Sequence, residues 1–186
     1  SLTLTRWASS ATIGLDCEWR PRRLDTADGE NGEARAAAAL PVAVLQLATA
    51  EAAFVIDILT LSENGELMDT LSSAVATLFR CAATTKLGFA SKGDTDRLEA
   101  ALPGCTNGVA SLIDVQPLIR EALGLNRKAT PGLRHACAAL LAVDLSKDQQ
   151  TSDWEARPLT VAQMTYAAAD ASILIPLYCV ARSELG

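Results

Sequence analysis

The sequence predicts an α/β fold in which a mixed five-stranded sheet is flanked by helices on both faces. Short β-rich apolar segments occur in its first two thirds, and two of them are separated by only a few small or polar residues, as in an antiparallel hairpin. Helical periodicity is interleaved with the later strands and occupies the final third. Such an order predicts a sheet between two helical layers. The chain of 186 residues is expected to form one domain, residues 1–186, which buries roughly 70% of the surface that its unfolded chain exposes.

Five segments have the length and composition of strands. The first reads IGLDCEWRP, and the second and third form the predicted hairpin. Between the first two, residues 24–40 mix turn formers with an alanine run, which predicts a flexible surface insertion. In chain order, the predicted strands are Ile13–Pro21, Val42–Ala48, Ala53–Ile58, Thr85–Phe89 and Leu112–Val115.

Helices are predicted between and after the later strands. Apolar residues at three- and four-residue steps indicate one helix over Glu66–Phe79 and another over about Asp94–Leu102. The final third is predicted to be helical throughout. Two helix starts are marked by capping residues. Thr130-Pro131 places a hydroxyl before a first-turn proline, and the stretch Thr160–Gln163 fits a capping box.

Composition narrows the functional classes. Hydrophobic residues make up 49% of the sequence, yet no stretch approaches the roughly 18 consecutive apolar residues of a membrane span, so we expect an intracellular protein without a membrane partner. The five cysteines show no CxxC spacing, which predicts reduced, mostly core thiols and no structural zinc. A net charge of −6 disfavours a non-specific nucleic-acid coat. It is compatible with a nuclease, because acids that load divalent cations attract phosphate.

Two carboxylates interrupt the first apolar strand. Side chains alternate along a strand, so Gly14, Asp16 and Glu18 share one face. At neutral pH these neighbouring acids repel each other, and burying them costs free energy unless a cation or several hydrogen bonds offset their charge. The pair therefore predicts a metal site whose remaining ligands come from elsewhere in the chain.

Further candidate ligands lie on predicted helices. Tyr166 and Asp170 are four residues apart, so a phenol and a carboxylate can converge on one bound group. In the middle of the chain, Asp94 shares a helix face with the apolar residue Leu98, whereas Asp96 lies nearly opposite. Asp94 is therefore preferred over Asp96 as the inward-facing acid.

The order of these motifs resembles that of a known enzyme family. Asp-x-Glu on a first strand, then GF…GDxxxL, then YxxxD on a late helix is typical of the DEDDy branch of the 3′-5′ exonuclease superfamily, which has the ribonuclease-H-like fold. The resemblance extends from Ile13 to Tyr178. It includes PGLRHACAALLAVDLSKDQQTSDWEARPLTVAQMTYAAADA, which is similar to RNase-D-like, Werner-type and mut-seven-type (Nibbler-like) exonuclease domains.

The resemblance implies a site, a cofactor and a reaction. Asp16, Glu18, Asp94 and Asp170 would hold two divalent cations, and Tyr166 would orient the attacking water. Ligand oxygens alone favour Mg²⁺ or Mn²⁺ over zinc. The implied reaction releases nucleoside 5′-monophosphates from the 3′ end of single-stranded RNA or DNA, with RNA somewhat favoured because the motifs are closest to mut-seven-type domains.

Other polar residues have structural interpretations. Lys147 and Arg157 are candidates for neutralising a substrate phosphate, with a surface lysine and a structural arginine as the alternatives. Asp57 and Asp114 end apolar runs and are interpreted as loop or capping acids, and His135 as solvent-facing.

A second hypothesis, from another functional class, is a catalytically inactive nucleic-acid-binding or scaffold module with the same fold. A missing carboxylate would favour it. All five motif residues are present, which favours the enzyme.

Overall fold

A five-stranded mixed sheet forms the centre of the computed structural model, which describes residues 12–20 and 42–186. Its strands are β1 (Thr12–Glu18), β2 (Val44–Ala48), β3 (Ala53–Asp57), β4 (Thr85–Gly88) and β5 (Leu112–Asp114). They lie in the order β3-β2-β1-β4-β5. The pairs β1–β2 and β2–β3 are antiparallel, whereas β1–β4 and β4–β5 are parallel. The predicted mixed sheet and hairpin are therefore confirmed.

The described residues form six helices. Asn64, Asp57 and Asp114 cap three of them, each by accepting a hydrogen bond from a backbone N–H of the first turn. Thr160 and Gln163 form the predicted capping box at the start of the last helix. The helices are α1 (Ile58–Leu61), α2 (Gly65–Arg80), α3 (Lys92–Ala101), α4 (Val115–Ala122), α5 (Leu133–Leu141) and α6 (Val161–Glu184).

The two faces of the sheet pack against different helices. On one face, the β1 and β2 residues Leu15 and Leu45 share a core with Phe79 of α2 and Leu98 of α3. On the other face lies α6, which contacts β1, β2, β3 and β4. Helices α4 and α5 pack against α6, and Ile119 and Cys137 join its Leu174 in a second core cluster. Helices on both faces are thus confirmed.

Parts of the sequence-based helix assignment were wrong. Residues 142–160 are irregular, so the final third is not helical throughout; α5 ends where Ala142 adopts a left-handed conformation, at φ 54°. Helix α5 begins at Leu133 with Gly132 as its N-cap, so the predicted Thr130-Pro131 start is confirmed to within two residues. The helices α1 and α4 were not predicted. Both follow a strand without a loop and begin at a capping aspartate. The predicted insertion at 24–40 lies outside the described residues.

Helix α6 has the length and mean hydropathy of a membrane span, which a count of consecutive apolar residues did not indicate. One such helix is weak evidence for a membrane span, since core helices of globular proteins pass the same test. Its inner face packs along four strands, and Asp170 is buried in that face. Burial against the sheet therefore explains the apolar residues of the inner face of α6, and about a third of its apolar stretch is buried.

The five cysteines are free. Cys17, Cys105 and Cys137 are buried, Cys81 is half-buried and Cys179 is exposed. Most of the thiols thus serve as core residues, as their scattered spacing predicted.

Candidate active site

Three acidic side chains meet at the end of β1. Asp16 and Glu18 project from the sheet face that α6 covers, and Asp170 reaches them from α6. One carboxylate oxygen from each of these residues lies within 4.8 Å of the other two. The structure therefore brings together three of the predicted ligands, which are separated by as many as 154 positions in the chain.

Small residues allow this close approach. A Cβ atom at Gly14 would collide with the backbone carbonyl oxygen of Ala171. On the helix side, Ala167 and Ala171 are fully buried against the sheet. Because Asp170 directly precedes Ala171, the contact of α6 with Gly14 places the Asp170 carboxylate beside the acids of β1. The missing side chain at Gly14 thus allows α6 to pack closely against β1.

Asp94 reaches the same cavity from α3. It is only 7% exposed and lines the same cavity as the three clustered acids. It does not belong to the tight cluster of three. Asp96 is exposed and Leu98 is buried, so the predicted orientation of this helix is confirmed.

Burial raises the pKa values of all four carboxyl groups, and repulsion within the set adds to the shift for Asp16 and Glu18. Burial is the largest cause for each. The charges of Asp94 and Asp170 then raise the pKa of Asp16 further, and that of Glu18 rises to about 9. The pKa values of Asp94 and Asp170 rise to about 6. The charge of Arg97 opposes the shift of Asp94, and the hydrogen bond from Tyr166 and then the charge of Lys147 oppose that of Asp170. Within residues 12–20 and 42–186, none of the four acids forms an ion pair with an arginine or lysine.

The donor set fits a hard divalent cation. All candidate ligand atoms are carboxylate oxygens, which Mg²⁺ and Mn²⁺ prefer. The Asp170 Oδ1 atom is buried and has no hydrogen-bond partner among the described residues. Such an atom is costly in an interior unless a bound group satisfies it. A cation at this cluster would satisfy Oδ1 and offset the repulsion among the acids.

Tyr166 lies beside the acids and donates a hydrogen bond to Asp170. Burial raises the pKa of Tyr166, and the charge of Asp170 and this hydrogen bond raise it further. The phenol therefore stays protonated at neutral pH. It can position a polar group by hydrogen bonding, but it cannot act as a strong base.

The acids form one wall of an open cavity of about 520 Å³, within the range of small-molecule sites. Lys147, a sequence-predicted candidate for a phosphate contact, also lines this cavity and is exposed. Trp19, which the sequence analysis did not single out, also lines the cavity, and the Arg97 guanidinium lies 4.1 Å from the centre of its ring. The signal in the sequence was an aromatic residue directly after Asp-x-Glu.

Arg157 lies elsewhere and has a structural function. Its Nε and Nη2 atoms donate to the two carboxylate oxygens of Asp57, each at 2.6 Å, and Nη1 donates to the Trp154 carbonyl oxygen at 2.8 Å. Arg157 does not line the cavity. Although burial alone would raise the pKa of Asp57, the hydrogen bonds from Arg157 and Thr60 lower it overall. The structural interpretation of Arg157 therefore replaces its assignment as a substrate contact.

The remaining polar residues agree with their sequence-based interpretations. Asp57 and Asp114 cap α1 and α4. Asp114 also accepts a hydrogen bond from the backbone N–H of Ala90. His135 is exposed on α5.

Similar proteins point to one family of nucleases. The chain is 28% identical over 179 residues to a human protein named exonuclease mut-7 homolog, covering 89% of this chain and 19% of that protein. It thus spans about a fifth of the length of the curated relatives it matches. The crystal structure of the Aedes aegypti Nibbler EXO domain superimposes with a TM-score of 0.78 at 25% identity, covering 99% of this chain and 83% of that one.

A bacterial structure extends the likeness of fold. RNase D from Escherichia coli, described as an exoribonuclease involved in structured RNA processing, has a TM-score of 0.73 at 23% identity. The alignment covers 98% of this chain and 42% of that chain. A family model described as 3′-5′ exonuclease matches residues 3–185, almost the whole sequence. The chain therefore belongs to the 3′-5′ exonuclease family, in the DEDDy branch with the ribonuclease-H-like fold.

Proposed function

We propose that this protein is a metal-dependent 3′-5′ exonuclease that shortens single-stranded nucleic acid and releases nucleoside 5′-monophosphates. The proposal rests on one observation in a chain of this family: three acids converge, Asp16, Glu18 and Asp170. Asp94 lines the same cavity. These buried acids need a cation to stay ionised together at neutral pH. An anionic phosphodiester needs the same cation to approach them.

We assign cation binding to the same four acids, Asp16, Glu18, Asp94 and Asp170. Mg²⁺ or Mn²⁺ suits their oxygen donors, and the unpartnered Oδ1 of Asp170 supports a bound ion at the cluster. When bound, two such ions supply an activated water, neutralise the phosphate and stabilise the leaving oxygen. Asp94 lies apart from the tight cluster, which is consistent with ligands divided between two ions.

The chain's own residues position the reacting groups. A bond forms between the water oxygen and phosphorus as the bond from phosphorus to the 3′ oxygen of the preceding nucleotide breaks, and that oxygen leaves with a proton. The protonated Tyr166 hydroxyl is suited to orient the water by hydrogen bonding. Lys147, which lines the same cavity as the acids, can neutralise a phosphate of the bound strand.

RNA is the favoured substrate, ahead of DNA. The matched relatives are mut-7 exonucleases and the Nibbler EXO domain, and RNase D is described as an exoribonuclease. The resemblance of the central and C-terminal motifs to mut-seven-type domains supports the same preference.

The test uses matched RNA and DNA oligonucleotides of one sequence, each labelled at either the 5′ or the 3′ end. With Mg²⁺ or Mn²⁺, a 5′-labelled strand should shorten as a ladder, and a 3′ label should appear at once as a mononucleotide. EDTA should abolish the reaction. Ca²⁺ should not restore it, because its larger radius and looser coordination misplace the water.

Three results would contradict the proposal. Full activity in EDTA would exclude the metal-dependent reaction, and internal cuts would indicate an endonuclease. A folded protein that binds Mn²⁺ and oligonucleotide without shortening it would establish the inactive binding module instead. Faster degradation of DNA than of RNA would reverse only the substrate preference.

A further inference from the structure

A buried amide on β2 has no hydrogen-bond partner. Gln46 is 0% exposed, and neither its Oε1 nor its Nε2 atom is hydrogen-bonded among the described residues. The other members of β2, Val44, Leu45, Leu47 and Ala48, are all apolar and buried. Buried polar groups are nearly always paired, so an unpaired amide in an apolar strand needs an explanation.

Gln46 is the cross-strand neighbour of Asp16. The two residues are directly paired in the antiparallel ladder between β1 and β2, so their side chains lie on the same face of the sheet. Residues opposite each other in such a ladder have Cβ atoms about 4.5 to 5.5 Å apart, within reach of a glutamine side chain. Gln46 does not line the cavity. It therefore lies behind Asp16, in the layer between the sheet and α6.

The carboxylate groups of the site can accept hydrogen bonds from the Gln46 amide. The Asp16 carboxyl group accepts a hydrogen bond from the backbone N–H of Cys17, which leaves further acceptor capacity on its two oxygens. Asp170 accepts from Tyr166 and keeps an unpartnered Oδ1 atom, but it lies on α6, whereas Asp16 is the direct cross-strand neighbour of Gln46. Carboxylates that bind metal are commonly held by additional hydrogen bonds from outside the ligand set. Asp16 is thus the acceptor best placed for the Gln46 Nε2 donor.

We propose that Gln46 is a positioning residue for the metal-loaded site. Its Nε2 group donates to the Asp16 carboxylate, directly or through one buried water, and fixes the rotamer in which Asp16 binds the cation. The inference rests on the proposed function, because it assigns Asp16 as a ligand. It accounts for a buried amide that has no hydrogen-bond partner among the described residues.

The test separates cation binding from folding in the Gln46→Met variant, whose side chain has a similar length and no polar group. Mn²⁺ affinity is measured by electron paramagnetic resonance of the free ion, and stability by thermal unfolding in EDTA. We expect Mn²⁺ affinity to fall about 10- to 100-fold. We expect the unfolding temperature in EDTA to be unchanged or raised, because an unpaired buried amide is removed.

Gln163→Met is the matched control. Gln163 is also a buried glutamine, but its side-chain Oε1 accepts from Thr160 and its Nε2 donates to Ser152 and to the Asp153 carbonyl oxygen. This variant should lower the unfolding temperature in EDTA and leave Mn²⁺ affinity within about twofold of wild type. The two glutamines should therefore show opposite patterns.

A second measurement needs no substitution. In wild type, Mg²⁺ should shift the side-chain amide resonances of Gln46 and slow their hydrogen exchange, while those of Gln163 stay unchanged. Gln46 resonances that stay fixed while the Cys17 backbone amide responds to Mg²⁺ would overturn the inference.

The outcomes also distinguish this inference from the proposed function. Equal Mn²⁺ affinities for wild type and Gln46→Met, with wild type active, would overturn the positioning function alone. The alternative result is that Gln46→Met loses Mn²⁺ affinity and also unfolds in EDTA at a temperature lowered as much as that of Gln163→Met. That result would assign Gln46 to folding and overturn the inference. A wild type that binds no Mn²⁺ would overturn both.

Discussion

Asp94 and Asp96 stand two residues apart on α3 and have opposite environments. Asp94 is 7% exposed and faces the acid-lined cavity, whereas Asp96 is exposed to solvent. The helical repeat separates their side chains by roughly 200°. Substitution of Asp94 should therefore affect a reaction at the acid cluster strongly, whereas substitution of Asp96 should not.

We predict that Asp94→Asn lowers the single-turnover rate at saturating Mn²⁺ at least about 100-fold, since losing several kcal/mol of charge stabilisation costs a factor of ten for each 1.4 kcal/mol. The variant should be as stable as wild type in EDTA, or slightly more stable, because carboxylate repulsion is reduced. Asp96→Asn should change the rate less than about twofold. The rate is measured on one labelled oligonucleotide, with circular dichroism to confirm folding. An inactive Asp96→Asn beside a near-normal Asp94→Asn would move the site to Asp96.

Arg157 and Arg20 both form ion pairs, but in different surroundings. The Arg157 and Asp57 side chains are 22% and 30% exposed, and the pair has two short hydrogen bonds. Arg20 is 52% exposed and contacts Asp153 and Glu155 at the surface. The half-buried, bidentate pair should contribute to stability, whereas the exposed one should contribute little.

We predict that Arg157→Gln lowers the free energy of unfolding by about 1–3 kcal/mol. Below its unfolding temperature, kcat/KM should stay within about twofold of wild type. Arg20→Gln should change stability by less than about 0.5 kcal/mol. Urea unfolding in EDTA and steady-state kinetics measure the two quantities. A tenfold loss of kcat/KM without loss of stability would return Arg157 to the substrate site.

At the scale of secondary-structure elements, the contact between α6 and β1 positions the acids. Gly14 leaves no room for a side chain beneath the Ala171 carbonyl oxygen. Gly65, the first residue of α2, has no atom within 4 Å of the position that a Cβ would take. These two glycines provide a matched pair for testing the contact.

We predict that Gly14→Ala lowers the free energy of unfolding by at least about 1–3 kcal/mol, because backbone must move to accept the methyl group. It should also weaken Mn²⁺ binding, since Asp170 moves with Ala171. Gly65→Ala should be neutral or stabilise the protein by about 0.4–1 kcal/mol, with unchanged Mn²⁺ affinity. Thermal unfolding and Mn²⁺ titration measure both. A stable Gly14→Ala variant with normal affinity would show that the close approach is dispensable.

At the scale of the whole molecule, the acid cluster couples stability to pH and to metal. The folded-state pKa values of Asp94 and Asp170 are about 6, and that of Glu18 is about 9. An unfolded chain titrates its carboxyl groups near pH 4. The folded, metal-free protein therefore binds more protons than the unfolded chain above that pH, and its stability must fall as pH rises.

We predict that in EDTA the unfolding temperature falls as pH rises from about 4 through about 6, and continues to fall more gradually towards pH 9. Saturating Mn²⁺ should reverse this slope, because the cation binds the ionised acids of the folded state. At a hundredfold excess over Kd, the gain is about 2.7 kcal/mol. Differential scanning calorimetry across this pH range provides the measurement. Asp96→Asn should retain the wild-type profile. A flat wild-type profile in EDTA would contradict the raised pKa values of the buried acids.

The sequence by itself predicted the fold class and the acids of the candidate site. Alternation placed Asp16 and Glu18 on one strand face, and helical spacing separated Asp94 from Asp96, because side-chain direction within one element follows from local backbone geometry alone. The capping box of α6 was equally local, since all its hydrogen bonds lie within four residues.

Tertiary structure alone decided how these elements meet. The closeness of Asp170 to Asp16, the distance of Asp94 from the tight cluster and the pairing of Arg157 with Asp57 depend on residues as many as 154 positions apart. The irregular path of residues 142–160 was missed because those residues are held by contacts across the chain, such as the hydrogen bonds of Gln163 to Ser152 and Asp153. The pairing of Asp16 with the buried Gln46 became visible only through strand register. Sequence periodicity gives the direction of a side chain, but packing between distant elements sets its neighbours, its burial and therefore its pKa.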